Sequence, residues 1–216
     1  TKNLLVSVGL NLRFHPAIRR AKELLGENAL GQLLWARFIS SSYLPDWRPG
    51  QDHRKGYAAN PFTGGVLFDI IHEFDLATYL IGPAETAAAV ARNTGTIDIP
   101  SEDCADVVLR HDNRAMSSLH LDYVTRPAQR LAEIVGTQGL LKLDLQGFKL
   151  SFFGADGVLR EEKLFSGNFD DTYVAEMKGF LDTVTKGVPP VCSGWEGLSV
   201  LRQVLDARKL CGLPTE

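Results

Sequence analysis

A chain of 216 residues, 44% apolar and 23% charged, can bury a core and has the composition of a globular domain. Its net charge of −3 excludes the basic surface with which proteins bind nucleic acid or an anionic membrane, so neither is expected as a partner. The three cysteines lie far apart without a CxxC pair, which favours a reducing, cytoplasmic location and predicts no metal site.

The beginning of the sequence predicts that the chain is a fragment. It contains neither an initiator methionine nor a signal peptide, and no apolar run of about 18 residues is present. An apolar strand is predicted over residues 4–14, close to the N-terminus. A helix beginning at Pro16 and a strand over 32–43 follow. We therefore expect a further segment of protein upstream of Thr1.

A long connection over residues 44–63 has no helical period but is rich in aromatic and basic side chains. Loops of this length are mostly functional or disordered, and the aromatic content argues against disorder. Aromatic faces combined with arginine donors suit a pocket for a polyhydroxylated or anionic small molecule, although anchoring of the loop is the alternative. The candidate substrate contacts, two of them from the strands predicted before this connection, are Arg13, Tyr43, Trp47, Arg48, Arg54 and Tyr57.

The segment 64–82 predicts a single amphipathic helix. Apolar residues repeat along it at i, i+3, i+4 and i+7, Thr63 can cap its first turn, and Gly82 ends it. Asp69 lies one helical turn before His72, so its carboxylate is expected beside the imidazole, as in a general acid/base site. The alternative is a solvated polar face. That face carries Asp69, His72, Glu73, Asp75 and Tyr79.

A glycine pair, Gly64-Gly65, opens this segment, where bare backbone N–H groups are expected to meet an anion or a sugar hydroxyl. No GxGxxG motif follows a strand, so no dinucleotide-binding fingerprint lies within the chain. GxSxG, P-loop and HExxH motifs are also missing from the sequence. The sequence therefore predicts substrate contacts here but no nucleotide site.

The second half of the chain predicts strands joined by tight turns, which implies an antiparallel sheet. The strands are expected at 86–94, 104–111, 115–125, 131–135, 140–145, 149–153 and 158–164. Helices are expected over 170–186, with an apolar stripe, and over 193–210, where Ser193 and Glu196 are spaced as a capping box. The predicted fold class is α+β, a large, mostly antiparallel open sheet with helices packed on one face, in a single domain over 1–216.

The face of the sheet that carries no helices must either contact solvent or pack against another surface. In the strand over 32–43, Trp35 and Arg37 share one face and Ala36 and Phe38 the other. A large two-faced sheet often becomes an interface between copies of a chain. We therefore expect a homo-oligomer, a dimer in the simplest case, formed through this face.

Several short runs follow one another in an order that resembles a known family. They are VGLNLRFHP at 8–16, YLPDWRP at 43–49, GGVLFD at 64–69, HEFD at 72–75 and GTQG at 136–139. Together they resemble the C-terminal domain of the Gfo/Idh/MocA oxidoreductases. The resemblance implies an NAD(P)-dependent enzyme acting on sugars, cyclitols or their derivatives, in which a separate Rossmann domain binds NAD or NADP. That domain and the active-site lysine of the family are then expected upstream of this chain.

The resemblance also implies roles for two residues of the central segment. His72 matches the family histidine that exchanges a proton with the substrate hydroxyl, and Asp69 matches the carboxylate beside it. Many members separate the two by three residues, whereas only two intervene here. Either one residue is deleted or Glu73 occupies the position of the histidine, and we favour the deletion. Asp75 is interpreted as structural.

The sequence thus predicts the substrate-binding half of an oxidoreductase that interconverts a secondary alcohol and a ketone. His72 is the expected acid/base, and Asp69 either orients it or binds a substrate hydroxyl directly. The alternative is a non-catalytic sugar-binding or dimerisation module. A metal-dependent lyase or isomerase using Asp69, His72 and Glu73 is a third hypothesis, although three neighbours on one helix rarely all reach one ion. The chain alone is expected to bind substrate without turnover.

Overall fold

A computed structural model describes residues 4–215 of the chain. The described residues form one open sheet, whose strands are β1 (Leu33–Tyr43), β2 (Ala84–Arg92), β3 (Cys104–His111), β4 (Met116–Asp122), β5 (Val124–Gly136), β6 (Gly139–Asp144), β7 (Lys149–Gly154) and β8 (Leu159–Leu164). Their order across the sheet is β2-β3-β4-β1-β5-β6-β7-β8. Neighbouring strands are antiparallel except β1 and β4, which run parallel. The predicted α+β class and its mostly antiparallel open sheet are confirmed.

Alternating side chains give the sheet one apolar face. In β1, Ala36 and Phe38 are buried while Trp35 and Arg37 point to the opposite, exposed face. Helices cover the apolar face only. They are α1 (Pro16–Gly26), α2 (Val66–Asp69), α3 (His72–Ile81), α4 (Phe169–Lys186) and α5 (Gly194–Leu210). Within residues 4–215, none of them combines the length and apolar character needed to cross a bilayer.

Local signals placed most helix ends correctly. Pro16 is the first residue of α1, and the side chain of His15 accepts a hydrogen bond from the Ala17 N–H as its cap. The Ser193–Glu196 capping box at the start of α5 is present. Gly82, with a φ of 126°, ends α3. These ends depend on neighbouring residues alone, which is why the sequence reveals them.

The strand predicted over 4–14 is wrong. Asn11–Phe14 form a 3-10 turn instead, and Ser7 makes only an isolated bridge to Ser193. All four residues of the turn are buried, and its polar side chains bond to helices, with the Asn11 amide donating to the Thr172 hydroxyl. A segment buried on every side has no alternating face to place on a sheet.

The predicted single central helix is broken. Its first part, α2, begins after Gly65 rather than at a Thr63 cap, and the chain leaves helical geometry at Ile70, whose φ and ψ are −97° and 37°. The second part, α3, begins at His72. The predicted apolar stripe is nevertheless buried, with Phe74 inaccessible to solvent. The break separates Asp69 from His72, so the two do not keep the spacing of a regular helix.

The supposedly solvated face of this helix is largely buried. Glu73 and Asp75 are at most 1% exposed. The Arg130 guanidinium donates two hydrogen bonds to Glu73, at 2.7 and 2.9 Å, and Arg13 forms an ion pair with Asp75 at 2.7 Å. Buried carboxylates require such partners, because an unpaired charge inside a protein is expensive. Asp75 is therefore structural, as predicted.

The N–H groups of the glycine pair are already bonded within the protein. The Gly64 and Gly65 N–H groups donate to the Asn60 and Ala58 carbonyls, at 2.8 and 2.9 Å. A Cβ on Gly64 would lie 2.1 Å from the Tyr57 carbonyl oxygen, so close backbone approach explains this glycine. The expectation of an anion or sugar hydroxyl at this pair is wrong, since neighbouring loop backbone already occupies it.

The buried carboxylate of Glu102 caps the N-terminus of α2. The Glu102 carboxylate accepts a hydrogen bond from the Leu67 N–H at 3.3 Å, and the Glu102 carbonyl accepts one from the Val66 N–H. Arg208 of α5 pairs with the same carboxylate at 2.9 Å, and both side chains are at most 1% exposed. A negative charge at a helix N-terminus is favourable, and the arginine compensates its burial.

The apolar stripe of α4 faces outward. Val174, Met177, Leu181 and Val184 are each at least half exposed. Val191 approaches Gly179 of this helix, and Val6 approaches Gly194 at the start of α5. Trp195, which follows Gly194 directly in the sequence, is also exposed. We call this apolar area the α4 surface, and it consists of Val6, Val174, Met177, Leu181, Val184, Val191 and Trp195.

We expect Arg208→Met to lower the free energy of unfolding by about 3–5 kcal/mol, because it leaves the buried Glu102 carboxylate unpaired. Urea denaturation measures the change. The double variant E102L/R208M should be less destabilised than R208M, since it removes both charges. Arg110→Gln, at an exposed pair with Glu85, is the control and should cost less than about 1 kcal/mol. Equal losses of unfolding free energy in R208M and R110Q would contradict the conclusion that Arg208 compensates the buried Glu102 charge.

Candidate active site

A cavity of about 390 Å³ lies beside the break between α2 and α3. It brings together four of the residues singled out from the sequence, namely Asp69, His72, Trp47 and Tyr57. Serines of β1 and residues of β5 complete much of its wall. The remaining lining side chains are Ser40, Ser41, Ser42, Ile70, Ala128, Gln129, Arg130, Gln146 and Tyr173. Hydroxyl, amide and ionisable groups therefore converge on a space suited to a small polar molecule.

His72 is the first residue of α3 and carries an unpaired nitrogen. Its Nδ1 atom is buried and has no hydrogen-bond partner among the described residues. Burial lowers the pKa of His72 to about 4, the nearby Arg130 charge lowers it further, and Glu73 opposes both. The imidazole is therefore neutral at neutral pH. A neutral imidazole can accept a proton from a hydroxyl placed in the cavity.

Asp69, the last residue of α2, is held by two tyrosines. Its two carboxylate oxygens accept hydrogen bonds from the hydroxyl groups of Tyr57 and, at 2.9 Å, of Tyr123. Burial and the neighbouring carboxylate raise the pKa of Tyr57 to about 12, and the pKa of Tyr123 is also raised. No hydrogen bond joins Asp69 to His72 within residues 4–215. The geometry thus favours the second of the predicted roles, a carboxylate that binds hydroxyl groups directly.

Arg130 and Glu73 form a charged pair beside His72 that sequence reasoning missed. Arg130 lines the cavity. Its partner Glu73 is buried and follows His72 directly in the sequence. The sequence prediction left residues 126–130 outside any strand, whereas β5 runs through them. Continuing the period-two pattern of Ala132 and Ile134 backwards would have placed Arg130 on the covered face. Glu73 is held by this arginine, whereas His72 Nδ1 has no hydrogen-bond partner among the described residues.

Tyr123 is the second residue that sequence reasoning missed. It is fully buried between β4 and β5, and only its hydroxyl group reaches Asp69. Its ring meets the Trp47 ring edge-on, with centroids 5.4 Å apart, and the Trp47 indole N–H donates to the Ser42 hydroxyl at 2.9 Å. A tyrosine in a strand of alternating polar and apolar residues gives no signal of its own in the sequence. Only its hydrogen bond to Asp69 in the folded structure shows that Tyr123 belongs to the site.

Three of the predicted substrate contacts lie elsewhere. Arg13 is 2% exposed, and besides Asp75 it bonds Glu196 and the Val191 carbonyl. The Tyr43 ring is covered by the Arg126 guanidinium. Arg54 pairs with Asp52 of the same loop at 2.8 Å and with Asp98, between β2 and β3, at 3.3 Å. The structure therefore does not bring these three to the cavity, because each is held by protein partners.

Arg48 lies at the edge of the site. Its guanidinium is placed over the Tyr57 ring, 5.6 Å from the centroid. It lines a larger, neighbouring cavity, into which Trp47 and Tyr57 also face. Residues of the loop over 44–63 therefore line two cavities.

Comparison with known proteins places this geometry in a family. The model of the GFO/IDH/MocA C-terminal domain matches residues 18–142. D-apiose dehydrogenase of Rhizobium rhizogenes is 27% identical over 90% of this chain and 58% of its own length. Myo-inositol 2-dehydrogenase of Thermotoga maritima is 27% identical over 96% of this chain and 62% of its own length. The chain thus spans about three fifths of the curated relatives that it matches.

Solved structures show the same fold. Levoglucosan dehydrogenase in complex with NADH superposes with a TM-score of 0.84 at 20% identity, over 97% of this chain and 66% of that one. An oxidoreductase from Agrobacterium radiobacter, in complex with NAD+, L-tartaric acid and magnesium, gives 0.81 at 24% identity, over 97% and 64%. The resemblance noted in the sequence is confirmed. The chain belongs to the Gfo/Idh/MocA oxidoreductase family and matches its C-terminal domain.

Proposed function

We propose that this chain is the substrate-binding half of an NAD(P)-dependent oxidoreductase that interconverts a secondary alcohol and a ketone on a sugar, a cyclitol or a sugar derivative. The observation that carries the proposal is the neutral, unpaired imidazole of His72 in one cavity with the hydroxyl-binding carboxylate of Asp69. The dehydrogenase relatives named for apiose and inositol support the substrate class.

The proton leaves the substrate through His72. In the oxidative direction the O–H bond of the alcohol breaks, the proton goes to the imidazole, and the C=O bond forms as hydride leaves the carbon. A bound nicotinamide ring supplies the hydride acceptor in this reaction. The cavity fits the proton-transfer part of the reaction, because the His72 imidazole lines it and is neutral at neutral pH.

Asp69 positions a second hydroxyl of the substrate. Tyr123 is fully buried and keeps its hydrogen bond to one carboxylate oxygen, whereas Tyr57 is 53% exposed and can yield the other. A substrate hydroxyl that replaces the Tyr57 hydroxyl then keeps the carboxylate satisfied. Holding a neighbouring hydroxyl fixes which carbon of a polyol faces His72.

The α4 surface is the proposed contact for the nucleotide-binding half. Tyr173 lines the catalytic cavity and stands at the start of the exposed stripe that continues through Val174 and Met177. Contiguous apolar areas on soluble proteins mark interaction sites. A unit packed there would border the mouth of the cavity. The opposite sheet face, with Trp35 and Met116 exposed, is the proposed contact with a second copy of the chain.

We expect His72→Gln, introduced into the full-length protein, to lower kcat for polyol oxidation by about 10²–10⁴-fold, because the general base is lost. Absorbance of reduced nicotinamide measures turnover with myo-inositol, D-apiose and levoglucosan as test substrates. His120→Gln is the control, since that histidine is bound by Asp106 and Asp122 outside the cavity. Retention of near-native kcat by H72Q would refute the assigned base.

The acidic limb of kcat/KM should follow the titration of His72. The base must be neutral, so activity falls as pH drops through its pKa of about 4. Arg130→Met removes a positive charge, raises that pKa and moves the limb to higher pH, whereas Glu73→Gln moves it to lower pH. A pH–rate series on both variants checks the opposite signs. Identical profiles for the two would exclude His72 as the titrating group.

We expect the chain by itself to bind a polyol without turnover. Calorimetry with myo-inositol measures binding, and added NADH with a ketose tests hydride transfer. Oxidation of NADH by the chain alone would contradict the proposal that a separate half of the protein binds the nucleotide. A full-length protein that binds polyols but never oxidises them would instead support the non-catalytic sugar-binding module.

A further inference from the structure

The loop over residues 44–58 encloses a second cavity, of about 680 Å³, that the proposed reaction does not use. Its walls are fixed to the rest of the fold. The His53 imidazole Nε2 lies 2.7 Å from the Ile97 carbonyl oxygen, and the Ser101 hydroxyl donates to the Ala58 carbonyl at 2.7 Å. The space is therefore a built feature of the folded loop.

Two cations line this cavity without an acidic partner. Arg48 and Lys55 form no ion pair among the described residues, and both belong to the wall. Asp52, the acidic residue of the wall, is already bound by Arg54 through bonds of 2.8 and 3.0 Å. The cavity thus presents uncompensated positive charge, which suits an anionic group of a ligand.

The two cavities share a wall made of Trp47 and Tyr57. Tyr57 reaches into both sites, with its hydroxyl on Asp69 and its ring beneath the Arg48 guanidinium. A ligand whose hydroxyl displaces that of Tyr57 therefore comes next to the cationic cavity. The neighbouring space is large enough to take a substituent of that ligand.

We propose that the loop cavity is a subsite for the anionic group, a phosphate or a carboxylate, of a polyol whose reacting hydroxyl lies at His72. This inference rests on the proposed function and narrows its substrate class to anionic sugar derivatives. Arg48 and Lys55 bind the anion, and Tyr57 separates it from the reacting end. The two residues are specificity determinants and take no part in proton transfer.

Calorimetry on the chain tests the subsite with three probes: glucose, glucuronate and glucose 6-phosphate. At least one anionic probe should bind about tenfold more tightly than glucose, the gain expected for hydrogen bonds to charged groups. In R48Q/K55Q the anionic probe and glucose should bind equally. The matched control, R160Q/K186Q, removes the same charge from exposed ion pairs outside both cavities and should keep the preference.

A preference for glucuronate alone identifies a carboxylate site, and one for glucose 6-phosphate alone identifies a phosphate site. Equal binding of all probes by the native chain, no binding of either anion, or a preference that survives R48Q/K55Q would overturn the subsite. Failure of the proposed function looks different. In that case the anion preference depends on Arg48 and Lys55, yet the full-length protein with intact His72 oxidises neither the three probes nor myo-inositol, D-apiose or levoglucosan.

Discussion

Each carboxylate buried along the central segment is matched by an arginine from a distant part of the chain. Glu102 at the start of α2 meets Arg208 of α5, Glu73 meets Arg130 of β5, and Asp75 meets Arg13 from the N-terminal turn. An unpaired charge in these positions would cost several kcal/mol. The pairs therefore fix where three remote elements contact the two short helices, and the site at the break between those helices inherits its geometry from them.

Much of the fold could be predicted because its signals are local. Alternating side chains with tight turns predicted the strands from β2 onward, except for the first half of β5, and the Ser193 capping box predicted the start of α5. The 3-10 turn at Asn11–Phe14 escaped prediction because its burial comes from α4 and from Asp75. The helix break at Ile70 escaped for a similar reason. Nothing in a regular apolar stripe shows that the backbone leaves the helix partway along.

The candidate site, like the fold, could be predicted from the sequence only in part. Asp69 and His72 were identified as a pair, yet the structure gives the carboxylate to Tyr57 and Tyr123. An arginine looks the same in the sequence whether it lines a cavity, as Arg48 does, or pairs with a buried aspartate, as Arg13 does. Side-chain direction decides between them, and it is set by partners far away in sequence. The resemblance to a family identified His72, while only the fold revealed Arg130 beside it.

If Asp69 binds a substrate hydroxyl as proposed, its hydrogen bond from Tyr57 makes ligand binding an exchange of one hydroxyl for another. An incoming hydroxyl gains only the difference between its own bond and the one that the phenol gives up, so this contact adds little affinity. The exposed phenol must swing away first, and the rate of association should level off at high ligand concentration at the frequency of that movement.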